Sequence, residues 1–249
     1  MPNINFYNVD CIKYINASKR SWDVCFADPP YGIAYQSAWR TDKQDWKPKI
    51  KNDEKPFTDW LHPLYSKMNV GGRLICFYRW DVQDEFIGAI EDAGFEIKSQ
   101  IVWDKVTHGM GDLAGEFAPQ HELAFYATKG RYEFAGKRPK TVYRVPRIQG
   151  EKLIHPNEKP LPLIKQILSD ISCPNESVID PFAGSFSTAK ACLQLGMGCD
   201  TTELDDYYFK IGEQYFNKHV NRWHEGLQTP IADQNDYSKL NTGLFALNA

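Results

Sequence analysis

Asp28, Pro29, Pro30 and Tyr31 follow directly on an apolar run, Trp22–Ala27, and their types suit one kind of chemistry. A proline fixes its own φ and disfavours helix in the residue before it, so the tetrapeptide reads as a stiff, extended loop. Such a loop presents acceptors at fixed positions, the Asp28 carboxylate and the Pro29 carbonyl, with the aromatic face of Tyr31 beside them. Two acceptors aimed at the protons of an exocyclic amine on a nucleobase favour a tetrahedral nitrogen, whose lone pair can attack a methyl group. Tyr31 would then stack on a base drawn out of its duplex. Taken alone, the tetrapeptide also reads as an ordinary strand-to-loop turn.

A second group lies far downstream. Asp180-Pro181-Phe182-Ala183-Gly184-Ser185-Phe186-Ser187-Thr188 joins a strand-like run to a helix-like segment. A turn here, with Gly184 permitting close backbone approach, makes a cradle for a nucleoside cofactor. It is not a Walker phosphate loop, because no Gly-Lys-Ser/Thr follows. The next strand-like run ends at Glu203, where an acidic residue suits paired hydrogen bonds to a ribose diol. By itself Glu203 reads equally as a carboxylate at a helix N-terminus. Between the two groups stands His155-Pro156-Asn157-Glu158-Lys159-Pro160. Lys159, at a helix start, is a candidate partner for the carboxylate of an amino-acid moiety; a plain loop–helix junction is the competing reading.

Rigid elements must position these residues. Short apolar, β-branched or aromatic runs predict strands over 4–7, 22–27, 73–78, 95–103, 121–127, 177–180 and 199–203. Amphipathic segments predict helices over about 57–68, 82–93, 161–172, 187–195 and 205–220. In one of them Ile164, Ile167, Leu168 and Ile171 share a single helical face. Gly71-Gly72 and Gly94 are placed where a left-handed residue would end a helix before a strand. Alternating strands and helices predict an α/β fold, a mostly parallel sheet covered on both faces. Ligands in such folds sit beyond the carboxyl ends of the strands, where these motifs fall.

With 249 residues, 42% hydrophobic and 24% charged, the chain is long enough for one sizeable core. No apolar run approaches the ~18 residues of a membrane span. The start, Met1-Pro2-Asn3-Ile4-Asn5, lacks the regions of a signal peptide, so a cytoplasmic location is expected. The six cysteines are scattered, form no C-x-x-C pair, and are expected to be buried free thiols. No histidine falls in a metal-binding pattern, so no metal site is expected. The net charge of −3 does not advertise nucleic-acid binding, but residues 128–152 hold eight basic side chains against two acidic ones. A second stretch interleaves Trp39 and Trp46 with Arg40, Lys43, Lys47, Lys49 and Lys51. Solvated loops and phosphate-neutralising surfaces both fit these stretches.

The motifs together resemble the β-class S-adenosylmethionine-dependent DNA amino-methyltransferases, which act on N6 of adenine or N4 of cytosine. In that family a D/S-P-P-Y precedes D-P-F-x-G-S-G-T-T, with H-P-x-x-K-P between, and all three stand here in that order. Val9-Asp10-Cys11, Gly71-Gly72-Arg73, Ile101-Val102-Trp103-Asp104-Lys105, His121-Glu122 and Glu203-Leu204-Asp205 extend the match over residues 6 to 220. The resemblance implies a Rossmann-like methyltransferase fold with circularly permuted motif order. It implies that Asp28, Pro29, Pro30 and Tyr31 are catalytic, Asp28 and the Pro29 carbonyl engaging the amine while Tyr31 stacks on the base. S-adenosylmethionine would lie against Asp28, Asp180, Pro181, Phe182, Ala183, Gly184 and Ser185. Glu203 would hold its ribose, Asp10 and the Cys11 amide would read its adenine, and Lys159 and Ser187 would approach its methionine end.

Transfer would run in line, without a covalent enzyme intermediate or a metal. Ring attack on cytosine C5 needs a Pro-Cys nucleophile, whereas this chain has only the reversed pair Cys173-Pro174. The opening Asp28 favours adenine N6 over cytosine N4; an RNA amino-methyltransferase and a DNA-binding protein without catalysis are the other readings. DNA is the implied partner, through segments 33–56 and 128–152, and a homodimer and a cognate restriction endonuclease are further partners the family allows. Residues 1–222 would form the catalytic domain and 223–249 a C-terminal extension. One departure stands out: Phe186 and Ser187 replace the Gly-Thr of the glycine-rich turn. Phenylalanine does not take a positive φ cheaply, so the turn or the cofactor's tail is expected to be arranged differently.

Overall fold

The computed structural model describes residues 2–32, 51–109, 114–149, 153–155 and 157–224, apart from the side chains of residues 223 and 224. Eight strands form one sheet in the order β1-β8-β7-β2-β3-β5-β4-β6. They are β1 (Ile4–Tyr7), β2 (Trp22–Ala27), β3 (Met68–Tyr78), β4 (Glu96–Asp104), β5 (His121–Lys129), β6 (Val142–Arg144), β7 (Ser177–Asp180) and β8 (Gly198–Thr202). The helices are α1 (Cys11–Ala17), α2 (Leu61–Lys67), α3 (Gln83–Asp92), α4 (Leu161–Ile171), α5 (Ser187–Leu195) and α6 (Asp206–His224), with a short 3-10 turn at Trp80–Val82. The β1-β8-β7-β2-β3 half is parallel throughout; β5 runs antiparallel to both β3 and β4.

Strand alternation builds two cores from one sheet. Val24 and Phe26 of β2, with Ile75 and Phe77 of β3, face α4 and α5, whose Ile164, Ile167, Leu168 and Ile171 are buried as their spacing predicts. Cys25 and Ala27, with Leu74 and Cys76, face α1, α2 and α3 on the other side. Near β1, the fully buried Asp200 accepts from Asn5 at 2.8 Å, Arg20 at 2.7 Å and the Trp22 indole at 2.8 Å. This satisfied polar knot ties β8 to the first two strands. Among the described residues no helix is long and apolar enough to cross a membrane.

Several expectations need correction. Gly71 and Gly72 do not end a helix: α2 stops at Lys67, and both glycines lie inside β3, where its pairing with β2 shifts register. Gly94 does follow a helix, with a φ of +103°, and the Phe95 N–H bonds back to the Ile90 carbonyl at 3.2 Å. Helix α1 was not expected; Asp10 caps it, accepting from the Lys13 N–H at 3.0 Å. Five of the six free cysteines are buried, but Cys173 is exposed. Segment 128–152 is not simply a loop, since it begins in β5 and contributes β6, whose Val142 pairs with Val102. Lys129 is spent inside the fold, its ammonium donating to the Tyr65 and Met68 carbonyls at 2.7 and 2.9 Å. Most of segment 33–56, and residues 225–249 of the expected extension, lie outside the described residues.

Candidate active site

Parallel strands deliver their ends to one edge, and sequence-distant residues meet there. Asp10 lies beyond β1, Glu203 follows β8, Asp180 ends β7 and Asp28 follows β2, in the spatial order of those strands. All four line one cleft together with Cys11, Pro29, Pro30, Lys159, Pro181, Phe182, Ala183, Gly184, Ser185 and Ser187. The cleft is open to solvent, and its lining sets carboxylates beside the apolar Phe26, Phe57, Phe182 and Ile164. Tyr31 stands behind this lining, its hydroxyl donating to Asp28 Oδ1 and its ring edge-on to Phe86 at 6.5 Å.

The Asp28 loop is held from outside the motif. Phe57 N–H donates to the Pro30 carbonyl at 3.1 Å, Gly32 N–H to Asp53 at 2.8 Å, and Tyr31 bridges Pro56. Within the motif, Pro29's carbonyl accepts no hydrogen bond among the described residues.

The Asp180 turn is equally determined. Asp180 Oδ1 accepts from the Phe182 N–H at 3.0 Å, and the Ala183 N–H donates to the Thr202 carbonyl at 3.0 Å. Gly184 has a φ of +51°, and a Cβ there would sit 3.2 Å from the His155 ring. Both the dihedral and the close approach favour glycine. Glu203 accepts from the Gly184 N–H at 2.9 Å through one oxygen and from the Asp205 N–H at 2.8 Å through the other. It thereby pins the turn to the end of β8 while lining the cleft, and its carboxylate oxygens keep further acceptor capacity.

Phe186 overturns the expected rearrangement of the turn. It adopts the left-handed conformation itself, with φ 60° and ψ 29°, and caps α5 as glycine would. The ring is fully buried, stacked on Phe6 at 4.7 Å and edge-on to Phe209 at 5.7 Å. A left-handed non-glycine residue costs about 1–2 kcal/mol, whereas burying a phenylalanine side chain contributes roughly 1.5–3 kcal/mol. Burial wins.

Lys159, expected near a methionine moiety, lines the cleft, its ammonium 2.5 Å from Asp28 Oδ2 and 3.2 Å from Glu122 Oε2. Sequence reasoning singles out no role for Glu122; its signal is a lone carboxylate near the start of an apolar strand. Because β5 runs antiparallel, its first residues lie at the same edge as the last residues of β3, Tyr78 facing Leu123. Ser187 meets Ser185 at 2.9 Å and Glu158 at 3.5 Å. Lys51, expected on a DNA-contacting stretch, reaches Asp205 at 3.3 Å and lines the cleft.

Electrostatics follow from this crowding. Burial raises Asp180 to about 7. It also raises Asp28, partly offset by Lys159, and raises Glu203. Burial pushes Lys159 down, but Asp28 and Glu122 outweigh it and hold the ammonium protonated. Glu122 is likewise penalised by burial, yet Lys159 and Lys105 keep its carboxyl below the usual range.

Fold and site define an amino-methyltransferase class built on a Rossmann-like sheet. The chain belongs to the DNA methylase family, whose N6_N4_Mtase profile matches residues 22–214. It is similar to YubD of Escherichia coli (strain K12), 30% identical over 219 residues, covering 84% of this chain and 88% of that protein. The DNA adenine methyltransferase YhdJ of the same organism is 26% identical over 234 residues, covering 77% of this chain and 75% of that protein. Among solved structures, the M1.HpyAVI–SAM complex superposes with a TM-score of 0.69 at 24% identity, covering 86% of this chain and 99% of that one. DNA is the substrate of this family, and S-adenosylmethionine is its cofactor.

Proposed function

We propose that this chain transfers the methyl group of S-adenosylmethionine to the exocyclic N6 of adenine in DNA. The observation that carries the reading is the shared cleft: the Asp28 loop and the Asp180 turn open on one cavity. The fit to the cofactor rests on the donor set. Asp10, Asp28, Asp180, Glu203 and Asp205 gather around a ligand that is cationic at sulfur and offers a ribose diol, and Phe182 supplies an apolar wall. When bound, S-adenosylmethionine supplies an electrophilic methyl carbon on a sulfonium.

Asp28 and the Pro29 carbonyl accept the two N6 protons and so turn the nitrogen lone pair toward that carbon. In-line transfer would form the nitrogen–carbon bond as the sulfur–carbon bond broke, the sulfonium leaving as a neutral thioether, and the Asp28 carboxylate would take the amine's extra proton. Tyr31 holds the Asp28 carboxyl by its hydroxyl from behind the cleft lining. Positioning at near-contact distance and fixed charge supply the acceleration. Residues 1–222 form the catalytic unit in this reading, with 223–249 as an extension.

The aspartate that opens the tetrapeptide, and the similarity to an adenine methyltransferase, support adenine. Incubation with labelled S-adenosylmethionine and unmethylated duplex DNA, followed by nucleoside mass analysis, tests the reading. N6-methyladenine is expected; N4-methylcytosine, transfer to RNA alone or no transfer would each overturn it.

Two further results are expected. Burial pushes the Asp180 carboxyl up to about 7, and a cation docking in its cleft favours the ionised form. At lower pH the group must first lose a proton, so affinity for S-adenosylmethionine rises with pH through neutrality. The expected gain is roughly tenfold between pH 6 and 8, with proton release on binding measurable by calorimetry in two buffers. Lys137, Arg138, Lys140 and Arg147 are exposed and enter no ion pair among the described residues. If these four neutralise phosphates, DNA affinity should fall about a hundredfold between 50 and 200 mM salt. A flat salt dependence would remove this segment from the DNA interface.

A further inference from the structure

Four charged side chains of alternating sign run from the sheet into the cleft. Lys105 Nζ lies 2.9 Å from Glu122 Oε1; Glu122 Oε2 lies 3.2 Å from Lys159 Nζ; Lys159 Nζ lies 2.5 Å from Asp28 Oδ2. The chain ends at the Tyr31 hydroxyl on Asp28 Oδ1. Its members come from four places: the residue after β4, the second residue of β5, the loop before α4 and the loop after β2. No segment of the chain could form it locally.

We infer that Glu122 is a positioning residue that, by sharing the Lys159 ammonium with Asp28, sets how strongly Asp28 holds a proton. This inference rests on the proposed role of Asp28 as acceptor for the substrate amine. The Lys159 side chain is only 7% exposed, and a buried ammonium is tolerated only when counter-charges surround it. One carboxylate would neutralise it; the fold supplies two. The ammonium has three protons, two of which point to the two carboxylates, and it sits 4.8 Å above the Phe77 ring. It has no acceptor and no spare lone pair, so its effect on an incoming amine passes through Asp28.

The consequence is a balance. Lys159 alone would make Asp28 a firmly paired, weakly basic carboxylate. Glu122 draws the ammonium partly away and adds its own negative charge, restoring proton affinity to Asp28. Lys105 in turn keeps Glu122 ionised and in place. The other titratable groups facing Asp28 are Tyr31 from its own loop, Asp180 from the end of β7 and Cys76 from β3. Neither Cys76 nor Tyr31 ionises near neutrality, because burial raises both far above that range.

The arrangement makes two substitutions act in opposite directions. The Asp28 titration is read directly from carboxyl carbon shifts in protein labelled at aspartate Cγ, with Asp28→Asn and Asp180→Asn assigning the two steps. Glu122→Gln should move the Asp28 step to lower pH, Lys159→Gln should move it to higher pH, and Lys159→Arg should leave it near its original place. Shifts in the same direction, or no shift in either variant, would overturn the inference. If Lys159→Gln does not fold, Glu122→Gln decides alone: an Asp28 step that stays or rises overturns the proposal. The acid limb of the pH–kcat/KM profile should follow the same shifts. Opposed shifts in a protein that transfers no methyl group would support this charge control while overturning the proposed function.

Discussion

Asp28→Ala is expected to lower methyl transfer to DNA by about 10²–10³-fold, the usual cost of deleting one positioned hydrogen-bonding group at a reacting centre. Binding of S-adenosylmethionine should change far less, because the Asp180 turn and Glu203 are anchored by backbone amides that Asp28 does not touch. The split between transfer and binding is the informative result. Single-turnover rates with labelled cofactor give the first quantity and equilibrium dialysis gives the second. Undiminished turnover would remove Asp28 from the chemistry. An equal loss in both measurements would instead assign it to the cofactor. Asp28→Ala also leaves the Lys159 ammonium with Glu122 as its remaining carboxylate, so a modest loss of stability should accompany the catalytic defect.

Phe186→Gly is expected to destabilise the fold by roughly 1–4 kcal/mol, although it restores the residue that the related glycine-rich turn carries. Removing left-handed strain returns about 1–2 kcal/mol, but losing a buried phenylalanine costs about 3–5 kcal/mol. The ring ties two elements to the turn. It stacks on Phe6 of β1, meets Phe209 of α6, and lies so close to α6 that a Cβ on Gly212 would come within 3.2 Å of it. Denaturant unfolding of the variant measures the difference; a neutral or stabilising result would show that the packing contributes less than the backbone strain. The same variant should retain the turn's conformation, since glycine accepts a positive φ freely.

Much of this protein was legible before any coordinates. Periodicity located β1, β2, β7 and α5 at their observed bounds, because β-branched and aromatic residues mark short strands and the segment after the Asp180 turn keeps a helical apolar spacing. The stiff Asp28 loop and the glycine turn after Asp180 were legible because the chemistry of proline and glycine is local. Local signals failed where length or position weakened them. Helix α1 spans 7 residues and β6 only 3, too few for either to show a period. Gly71 and Gly72 looked like a helix end because a bulge inside a strand uses the same residue type.

The amino-acid sequence by itself determined which groups could act, two acceptors on a rigid loop and an acidic turn for a nucleoside, and in which order they come. Tertiary structure alone decided their company. Parallel pairing of β2, β7 and β8 brings Asp28, Asp180 and Glu203 to one edge, and the reversed direction of β5 adds Glu122 there. The partner of Lys159, and the burial that lets Phe186 hold a glycine's conformation, likewise arise from contacts between residues distant in the chain. Charge and strain are energies of surroundings, and surroundings exist only once the sheet has closed.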